Sequence, residues 1–425
     1  MFNKTLITEF FTTINFSTYI RTLTLLTFKL PFLRYWRHSE FIESQLLSYV
    51  WNLNSEIISF YNWRSAIYYA LKIIWVTNKD EVIVQWYTCV SVPNAVIQSW
   101  AKIIYSDIEK NTLWFDVDDL EKNITNNTKV IIIQHTFWKP SKIKKIINLA
   151  KSKNIIVIED CAHSLWSRVN WQKLWTFWDF AVFSTGRDKV ISWITWWFLI
   201  INNDKYFNKV ELIKKELIMP SIKLTIRNLL YNIFAFNAYI FYNFFWLWKV
   251  IIYLWRKFNL ITEIITMSEK QCNYDKFNYK LPNSLAFLAS KELQKIKMYT
   301  THRISISEYY DELLNNNELI KPVFTNRENE RNNSYRYPII IKSEELKDEL
   351  YEYMKKNNVL LWKTWSGTNI VPIWVNFINV NYKIWTCLNA EYVSKRILTL
   401  PNHSLIYFKD AKKIVQLLNN FKNNV

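Results

Sequence analysis

The sequence predicts an α/β protein built on a large, mixed but mainly parallel β-sheet, followed by a smaller α+β domain. Short apolar runs alternate with segments of helical spacing between residues 81 and 201, which is the pattern of a parallel sheet covered by helices. Two of these runs lead into Glu159-Asp160 and Ser184, and open α/β sheets bind their ligands at the C-terminal ends of their strands. With 425 residues, the chain is long enough for more than one domain.

The predicted elements follow one another in a regular order. In the first part, strands are predicted at 81–85, 101–106, 130–134, 155–158, 180–184 and 198–201, with helices beginning at 116 and 142. In the later part, the pattern predicts helices at 284–299 and 303–315, a strand at 337–341, a helix at 344–356, an extended run at 396–400 and a last helix at 410–421. These elements predict an N-terminal arm (1–34), a large domain (35–300) with a hydrophobic helical insertion at about 206–265, and a small C-terminal domain (301–425).

Two strand ends are expected to bring reactive groups into one crevice. The run at 155–158 ends in Glu159-Asp160, and the run at 180–184 leads through Thr185, Gly186, Arg187 and Asp188 to Lys189. Neighbouring strands of an open sheet end at the same edge, so Asp160, Ser184 and Lys189 should lie close together. A buried carboxylate and a buried amine in one crevice are a candidate catalytic pair.

The motifs around these residues carry a family resemblance. The chain reads E-D-C-A-H-S-L-W from Glu159, W-Q-K-L-W-T-F-W-D from Trp171, F-S-T-G-R-D-K from Phe183 and W-I-T-W-W from Trp193. This series resembles the DegT/DnrJ/StrS-type aminotransferases, which use pyridoxal 5'-phosphate and mostly aminate nucleotide-linked keto-sugars. Every fixed position of the family pattern matches except the glycines, and each missing glycine is a tryptophan. The resemblance implies an aspartate aminotransferase-like fold (fold type I).

The tryptophan content points to an altered reading of the gene. The chain has 2 Gly and 22 Trp, whereas average glycine usage would give roughly 30 in this length. Loops that need a positive φ cannot readily be built from bulky side chains. We therefore infer that the gene reads UGA as glycine and was translated with UGA as tryptophan. The alternative is a truly tryptophan-rich protein, and Trp365, close to the encoded Gly367, is the best candidate for a genuine tryptophan.

The resemblance assigns roles to three catalytic candidates. Lys189 would bind the cofactor covalently and, once released by the substrate, act as acid and base. Asp160 would keep the pyridine nitrogen protonated, and His163 would lie near the 3-oxygen of the ring. Each residue taken alone has an ordinary structural explanation, but their order and spacing together favour the functional one.

Further residues are expected to hold the cofactor. The segment Trp63-Arg64-Ser65 opens a helix, whose N-terminal N–H groups can bind phosphate, and Ser184 would donate its hydroxyl to the same group. Arg64 stands where the family has a hydroxyl residue, and that hydroxyl follows as Ser65.

Two more positions extend the predicted site. Cys89 stands where the family has an aromatic residue stacked on the ring; Tyr87 could take over part of this stacking, or Cys89 could be a small core residue. The segment from Asn278 to Ala286 resembles a second family motif, in which the Asn reaches the cofactor phosphate of the neighbouring subunit. This implies a homodimer with shared active sites.

Residues 228–248 contain no charged side chain over 21 positions, which is long enough to span a bilayer. They also contain Asn228, Asn232, Asn237 and Asn243, and such polar groups are costly at membrane depth. Three interpretations remain open: a buried or subunit-interface helical insertion, an interfacial helix in contact with a membrane, and a transmembrane span.

The bulk composition excludes several classes of protein. The net charge of +18 comes with no recognised nucleic-acid motif, and we expect no nucleic-acid partner. Four unpaired cysteines and five scattered histidines predict neither disulfides nor a metal site. The N-terminus lacks the features of a signal peptide, so a cytoplasmic enzyme, with membrane contact through 228–248 left open, is expected.

The predicted activity is therefore transfer of an amino group, from an amino acid such as L-glutamate to a nucleotide-linked keto-sugar, in surface polysaccharide or glycan synthesis. The alternative is a non-catalytic, membrane-associated assembly protein that uses an aminotransferase fold.

Overall fold

The structure is a computed structural model of the whole chain. It describes residues 5–7, 13, 15–28, 30–34, 38–50, 54–61, 63–192, 197–243, 247–258, 260, 263, 265–273, 278–314, 317–323, 330–331 and 333–423.

Within these residues the helices, in chain order, are α1 (Phe16–Phe28), α2 (His38–Val50), α3 (Trp63–Ile74), α4 (Ser91–Gln98), α5 (Val117–Asn123), α6 (Ile143–Ser152), α7 (Val210–Glu216), α8 (Ile222–Ile240), α9 (Leu247–Lys257), α10 (Met267–Lys270), α11 (Asn283–Leu293), α12 (Ile296–Leu314), α13 (Glu344–Lys356), α14 (Leu388–Ser394) and α15 (Phe408–Asn423). The strands are β1 (Leu6–Ile7), β2 (Glu56–Phe60), β3 (Glu81–Gln85), β4 (Thr88–Cys89), β5 (Lys102–Ser106), β6 (Thr128–Gln134), β7 (Ile156–Asp160), β8 (Arg168–Val169), β9 (Gln172–Lys173), β10 (Phe180–Ser184), β11 (Trp197–Ile201), β12 (Ile320–Pro322), β13 (Glu330–Arg331), β14 (Tyr337–Ile341), β15 (Val359–Leu360), β16 (Ile370–Val371) and β17 (Ile397–Leu400).

A seven-stranded sheet organises the large domain, in the order β2-β11-β10-β7-β6-β3-β5. Strand β11 runs antiparallel to both of its neighbours, and the remaining pairs are parallel. Both faces of the sheet are buried, each under its own apolar cluster, which explains why the strands read as continuous apolar runs. The predicted mixed, mainly parallel sheet is confirmed.

The smaller C-terminal part contains a three-stranded antiparallel sheet, β12-β14-β17, packed with α12, α13 and α15 around a separate core. Its strand β14 and helix α13 have the predicted bounds. Helix α12 runs without a break from Ile296 to Leu314, where two helices separated near residue 300 were expected. The predicted domain boundary at 300/301 therefore falls inside a helix.

Tryptophans occupy backbone positions that favour glycine. Eight of the described tryptophans have a positive φ, between 63° and 108°: Trp75, Trp100, Trp138, Trp166, Trp171, Trp175, Trp374 and Trp385. Trp75 directly follows α3, where Trp75 N–H donates to Lys72 O and Val76 N–H donates to Leu71 O, the bonding of a helix end that is usually closed by glycine. An L-residue with a side chain pays a steric cost in this conformation.

The hydrophobic insertion is folded against the body of the protein. Helix α8 buries Asn228, Tyr231, Asn232 and neighbouring apolar side chains, and it packs on α1 and α9. It ends at Ile240, so residues 228–248 are not one continuous helix. Within the described part of the chain, we find no helix long and apolar enough to cross a membrane. The inner face of α8 thus carries polar groups that are buried in the packing of the insertion.

Candidate active site

Lys189 lies in a buried turn after β10. Its side chain is 10% exposed, and its Nζ is 2.9 Å from His163 Nε2 and 3.9 Å from Asp188 Oδ1. Burial opposes the charged amine, but the carboxylate of Asp188, with smaller contributions from neighbours that include Asp160, raises the pKa of Lys189 overall. The structure thus brings the predicted lysine and histidine into direct contact.

Asp160 is the last residue of β7, the strand next to β10. Its Oδ1 accepts a hydrogen bond of 3.0 Å from Ala162 N–H. Burial raises the pKa of this carboxyl, although the Ala162 N–H and the charge of Lys189 oppose the shift. A cationic N–H placed against this carboxylate would stabilise its ionised form, so Asp160 suits a protonated ring nitrogen.

His163 lies over the next turn and is held by contacts on both ring nitrogens. Phe137 N–H donates to its Nδ1 at 3.2 Å, and its ring stacks on Tyr335 with 4.8 Å between the centroids. Burial, followed by the charges of Lys189 and Arg336, holds the pKa of His163 well below the ordinary histidine value. The ring is therefore neutral and offers one donor and one acceptor.

The predicted phosphate side is formed by β10 and the start of α3. Ser184 is fully buried at the end of β10, and its Oγ accepts from Gly186 N–H at 3.1 Å. Ser65 is fully buried in the first turn of α3. Arg64, by contrast, forms a buried ion pair with Glu269 of α10. Its guanidinium is therefore neutralised by a carboxylate, which leaves the backbone N–H groups and hydroxyls as the cradle.

Cys89 lies on the short strand β4, half-buried, with its Sγ 3.8 Å from Ser91 Oγ. Burial raises the pKa of its thiol to about 11, and the charge of the nearby Lys189 opposes this shift. The thiol is therefore uncharged. Tyr87 is fully buried, and its hydroxyl donates to Trp365 O at 2.6 Å. The tyrosine is thus fixed against the C-terminal part of the chain.

Asn278 lies at the outer edge of the sheet. Its carbonyl accepts from Ile218 N–H at 2.8 Å, and the following residues pair with Ile218 and with Phe60 at the end of β2. Within one chain it therefore adjoins edge strand β2, whereas Lys189 follows the more central β10.

The C-terminal part contributes residues that the sequence analysis missed. The Tyr335 hydroxyl donates to Asp188 O, Arg336 Nη2 donates to the same carbonyl at 3.3 Å, and Asn333 Nδ2 donates to His163 O at 2.9 Å. These bonds join residues that are 147 to 170 positions apart, so no local pattern could reveal them. The sequence shows only that the polar residues 333–336 directly precede the buried strand β14.

A second polar cluster lies behind the site. His135, Glu159 and Cys161 are fully buried and have the spacing of possible metal ligands. His135 Nε2 contacts Glu159 Oε1 at 2.8 Å, and its Nδ1 accepts from Ser141 N–H at 3.2 Å. Both ring nitrogens thus have protein partners, and the cluster ties together the ends of β6 and β7.

The residues present fit pyridoxal phosphate. A buried amine, a buried carboxylate with one oxygen bonded to Ala162 N–H, and a neutral histidine converge at one edge of the sheet, and a helix N-terminus with a buried serine lies at the end of β2. A lysine after β10 and a carboxylate at the end of β7 in this sheet order define a pyridoxal-phosphate-dependent enzyme of the aspartate aminotransferase-like fold.

The family follows from the sequence comparison. The profile of the DegT/DnrJ/EryC1/StrS aminotransferase family matches residues 33–216 and 263–419, and the chain belongs to this family. The unmatched residues between these two segments contain α8 and α9. Most of the insertion thus lies outside the segments that the family profile matches.

Two relatives show how far the sequence similarity extends along the chain. An uncharacterised protein of Methanocaldococcus jannaschii is 26% identical over 371 residues, covering 84% of this chain and 83% of its own length. GDP-perosamine synthase of Escherichia coli O157:H7 is 36% identical over 131 residues, 31% of this chain and 36% of the synthase. The stretch matched to the synthase is thus about a third of either protein.

Solved structures share the fold across the whole chain. Spr1654 from Streptococcus pneumoniae in its pyridoxal-phosphate form superposes with a TM-score of 0.76 at 16% identity, covering 99% of both chains. PseC from Helicobacter pylori, an aminotransferase of pseudoaminic acid biosynthesis, gives 0.74 at 17% identity, covering 99% of this chain and 100% of its own. The predicted fold type and cofactor are confirmed.

Proposed function

We propose that this protein transfers an amino group from L-glutamate to the ketone of a nucleotide-linked keto-sugar, in the synthesis of a surface polysaccharide or glycan. The observation that carries the proposal is the buried contact between Lys189 and His163 beside the carboxylate of Asp160. Relatives whose names include nucleotide-linked sugars, GDP-perosamine synthase and a UDP-N-acetyl-3-dehydro-glucosamine aminotransferase, support the substrate class.

Pyridoxal phosphate, when bound, supplies the electron sink that amino-group transfer requires. Lys189 would hold the cofactor and would act as base and then as acid toward the proton at the donor Cα. Asp160 would keep a proton on the ring nitrogen, His163 would donate to the ring oxygen, and Ser184 with the first N–H groups of α3 would bind the phosphate. The low pKa of His163 keeps its ring uncharged beside Lys189.

The direct test is an assay of glutamate-dependent amination with a panel of nucleotide-linked keto-sugars. Lys189→Ala should abolish turnover, whereas Lys205→Ala, which changes an exposed lysine, should leave it unchanged. Amination by Lys189→Ala at the wild-type rate would disprove the catalytic assignment.

We also propose a homodimer in which Asn278 completes the partner's site. Support comes from its position at the outer edge of the sheet, beyond β2. Lys189→Ala and Asn278→Ala should each be inactive, and mixing them under exchange conditions should restore activity through one intact site per mixed dimer. A mixture that stays inactive although mixed dimers form would contradict shared sites.

We further propose that UGA encodes glycine in this gene and that the enzyme acts in the cytoplasm. The recoding is supported by the five tryptophans that are more than 70% exposed among the residues that the structure describes, Trp75, Trp100, Trp171, Trp374 and Trp385, because all five have a positive φ. Tryptophan is rarely so exposed in folded proteins. A peptide mass from the native protein covering Trp196-Trp197 decides the point, since two tryptophans there would disprove recoding.

A second candidate function, a membrane-associated assembly protein, rests on exposed apolar side chains of the insertion. Ile240 is 52% exposed at the end of α8, and Tyr253, Leu254 and Phe258 of the α9 region are 41–64% exposed. An interfacial helix would place such side chains among lipid headgroups. Co-sedimentation with anionic vesicles, comparing the full chain with Tyr253→Ser/Phe258→Ser, tests this function: absence of binding by the full chain would remove it.

A further inference from the structure

The turn that carries Lys189 is held by side chains from three other regions of the chain. Ser192 O accepts from Thr13 Oγ1 at 3.2 Å, in the N-terminal arm. Val190 O accepts from Arg303 Nη1 at 2.6 Å, and Asp188 O accepts from Tyr335, both from the C-terminal part. The third region is the insertion, which contacts Arg187.

Arg187 lies two residues before Lys189 and is 8% exposed. Its guanidinium carbon is 3.6 Å from the centroid of the Tyr231 ring in α8. The Arg187 carbonyl accepts from Ser192 Oγ at 2.7 Å, so its side chain is fixed by α8 while its backbone is fixed by the turn itself. A desolvated cation over an aromatic face is a favourable contact.

Two asparagines of α8 also bind to other segments of the chain. Asn228 Nδ2 donates to the Tyr61 hydroxyl, next to the start of α3, and Asn232 Nδ2 donates to Thr22 Oγ1 of α1 at 3.2 Å. Asn228, Tyr231 and Asn232 share the inner face of the helix, since they are three and four positions apart. Asn228 thus joins the insertion to the segment that leads into α3, and Asn232 joins it to α1.

We propose that α8 is a positioning element of the active site, in which Tyr231 holds Arg187 and thereby fixes the turn that presents Lys189. The insertion then belongs to the catalytic apparatus even though it lies outside the family profile. The kinetic part of its test rests on the proposed aminotransferase function, whereas the part that measures Lys189 in the apo-protein does not.

The experiment compares Tyr231→Leu and Tyr231→Phe with the wild type and with Tyr239→Leu. Phe keeps the aromatic face and Leu removes it; Tyr239 is half-buried on the same helix, near Tyr407 and Asp410 instead of the lysine turn. Each apo-protein is labelled with an amine reagent over a pH series, and the labelling of Lys189 is followed by peptide mass. The cofactor dissociation constant, kcat and KM are then measured.

Tyr231→Leu should change the pH profile of Lys189 labelling and lower kcat by about 10- to 100-fold, the effect of a small misplacement of a catalytic group. Tyr231→Phe should retain the wild-type labelling profile and kcat, and Tyr239→Leu should resemble the wild type. If Tyr231→Leu does not fold, the contact is tested at Arg187 instead: Arg187→Met removes the cation and Arg187→Lys keeps it. A folded Tyr231→Leu or Arg187→Met protein with wild-type labelling and kcat would overturn the proposal. Altered labelling in a protein without transaminase activity would retain the positioning role and refute only the proposed function.

Discussion

The Nζ of Lys189 lies 2.9 Å from Nε2 of His163, and both side chains are buried. The neutral imidazole has one acceptor, which Phe137 N–H occupies at Nδ1. Nε2 then carries the ring proton and can donate to Lys189 only when the amine is uncharged. While Lys189 is protonated, the ring must give up the Phe137 bond to accept from the amine. His163 thus favours the neutral, nucleophilic form of the lysine, against the carboxylate of Asp188.

This relationship predicts how substitutions of His163 behave. Gln offers one donor and one acceptor, so His163→Gln should keep kcat within about tenfold of the wild type, whereas His163→Leu, which offers neither, should lose about 100-fold or more. Steady-state kinetics at saturating cofactor measures both. Equal losses in the two variants would show that the shape of the ring, and not its hydrogen bonds, is what matters.

The ionised carboxyl of Asp160 should lower the stability of the apo-protein although transamination requires it. Burial raises its pKa, so the folded state binds the proton more tightly than the unfolded state does. Its contribution to stability is therefore full below the unfolded pKa of about 4 and is lost as the pH rises through the folded value. Asp160→Asn should stabilise the apo-protein at pH 7 by about 1 kcal/mol while abolishing transamination.

Urea unfolding of the wild type and of Asp160→Asn at two pH values measures how the stability difference between them depends on pH. The gain of Asp160→Asn over the wild type should shrink as the pH falls from 7 toward the unfolded pKa of about 4, below which the carboxyl is protonated in both states. A gain that is the same at pH 4 and pH 7 would point to packing instead of charge.

The recoding inference predicts opposite effects for two groups of tryptophans. Trp75→Gly and Trp100→Gly relieve a positive φ at exposed positions and should each stabilise the protein by about 1 kcal/mol. Trp365→Gly removes a buried ring that contacts Tyr87, Phe137 and His163 and should destabilise it by about 3 kcal/mol or more. Thermal unfolding of the three variants measures the contrast, and a loss of stability in all three would count against recoded glycine at Trp75 and Trp100.

The sequence predicted six of the seven strands of the central sheet, all but β2, and the grouping of Lys189 with Asp160 and His163, because these features depend on local patterns. An apolar strand ends at a fixed edge, and whatever follows it, Asp160 or Lys189, is delivered there. Predicted strand ends differ from those found by two residues or fewer; β7 continues to Asp160, for example. The antiparallel direction of β11 was not specified, since a short buried strand carries no mark of its direction.

What the sequence could not show are the contacts between distant segments. The pairing of Arg64 with Glu269 joins two helices more than 200 positions apart, and it gives Arg64 a carboxylate partner that the sequence did not predict. The contact between Arg187 and Tyr231 links the catalytic turn to an insertion without a family pattern. Such pairs are fixed by packing, for which spacing along the chain is no guide.

The central claim is tested most directly by the absorption spectrum of the protein made with glycine at the suspect tryptophan positions, recorded with pyridoxal phosphate before and after glutamate is added. We predict a visible band from cofactor bound at Lys189, which glutamate converts to the spectrum of the pyridoxamine form. The band should be absent in Lys189→Ala. A folded protein that shows no visible band would contradict the account.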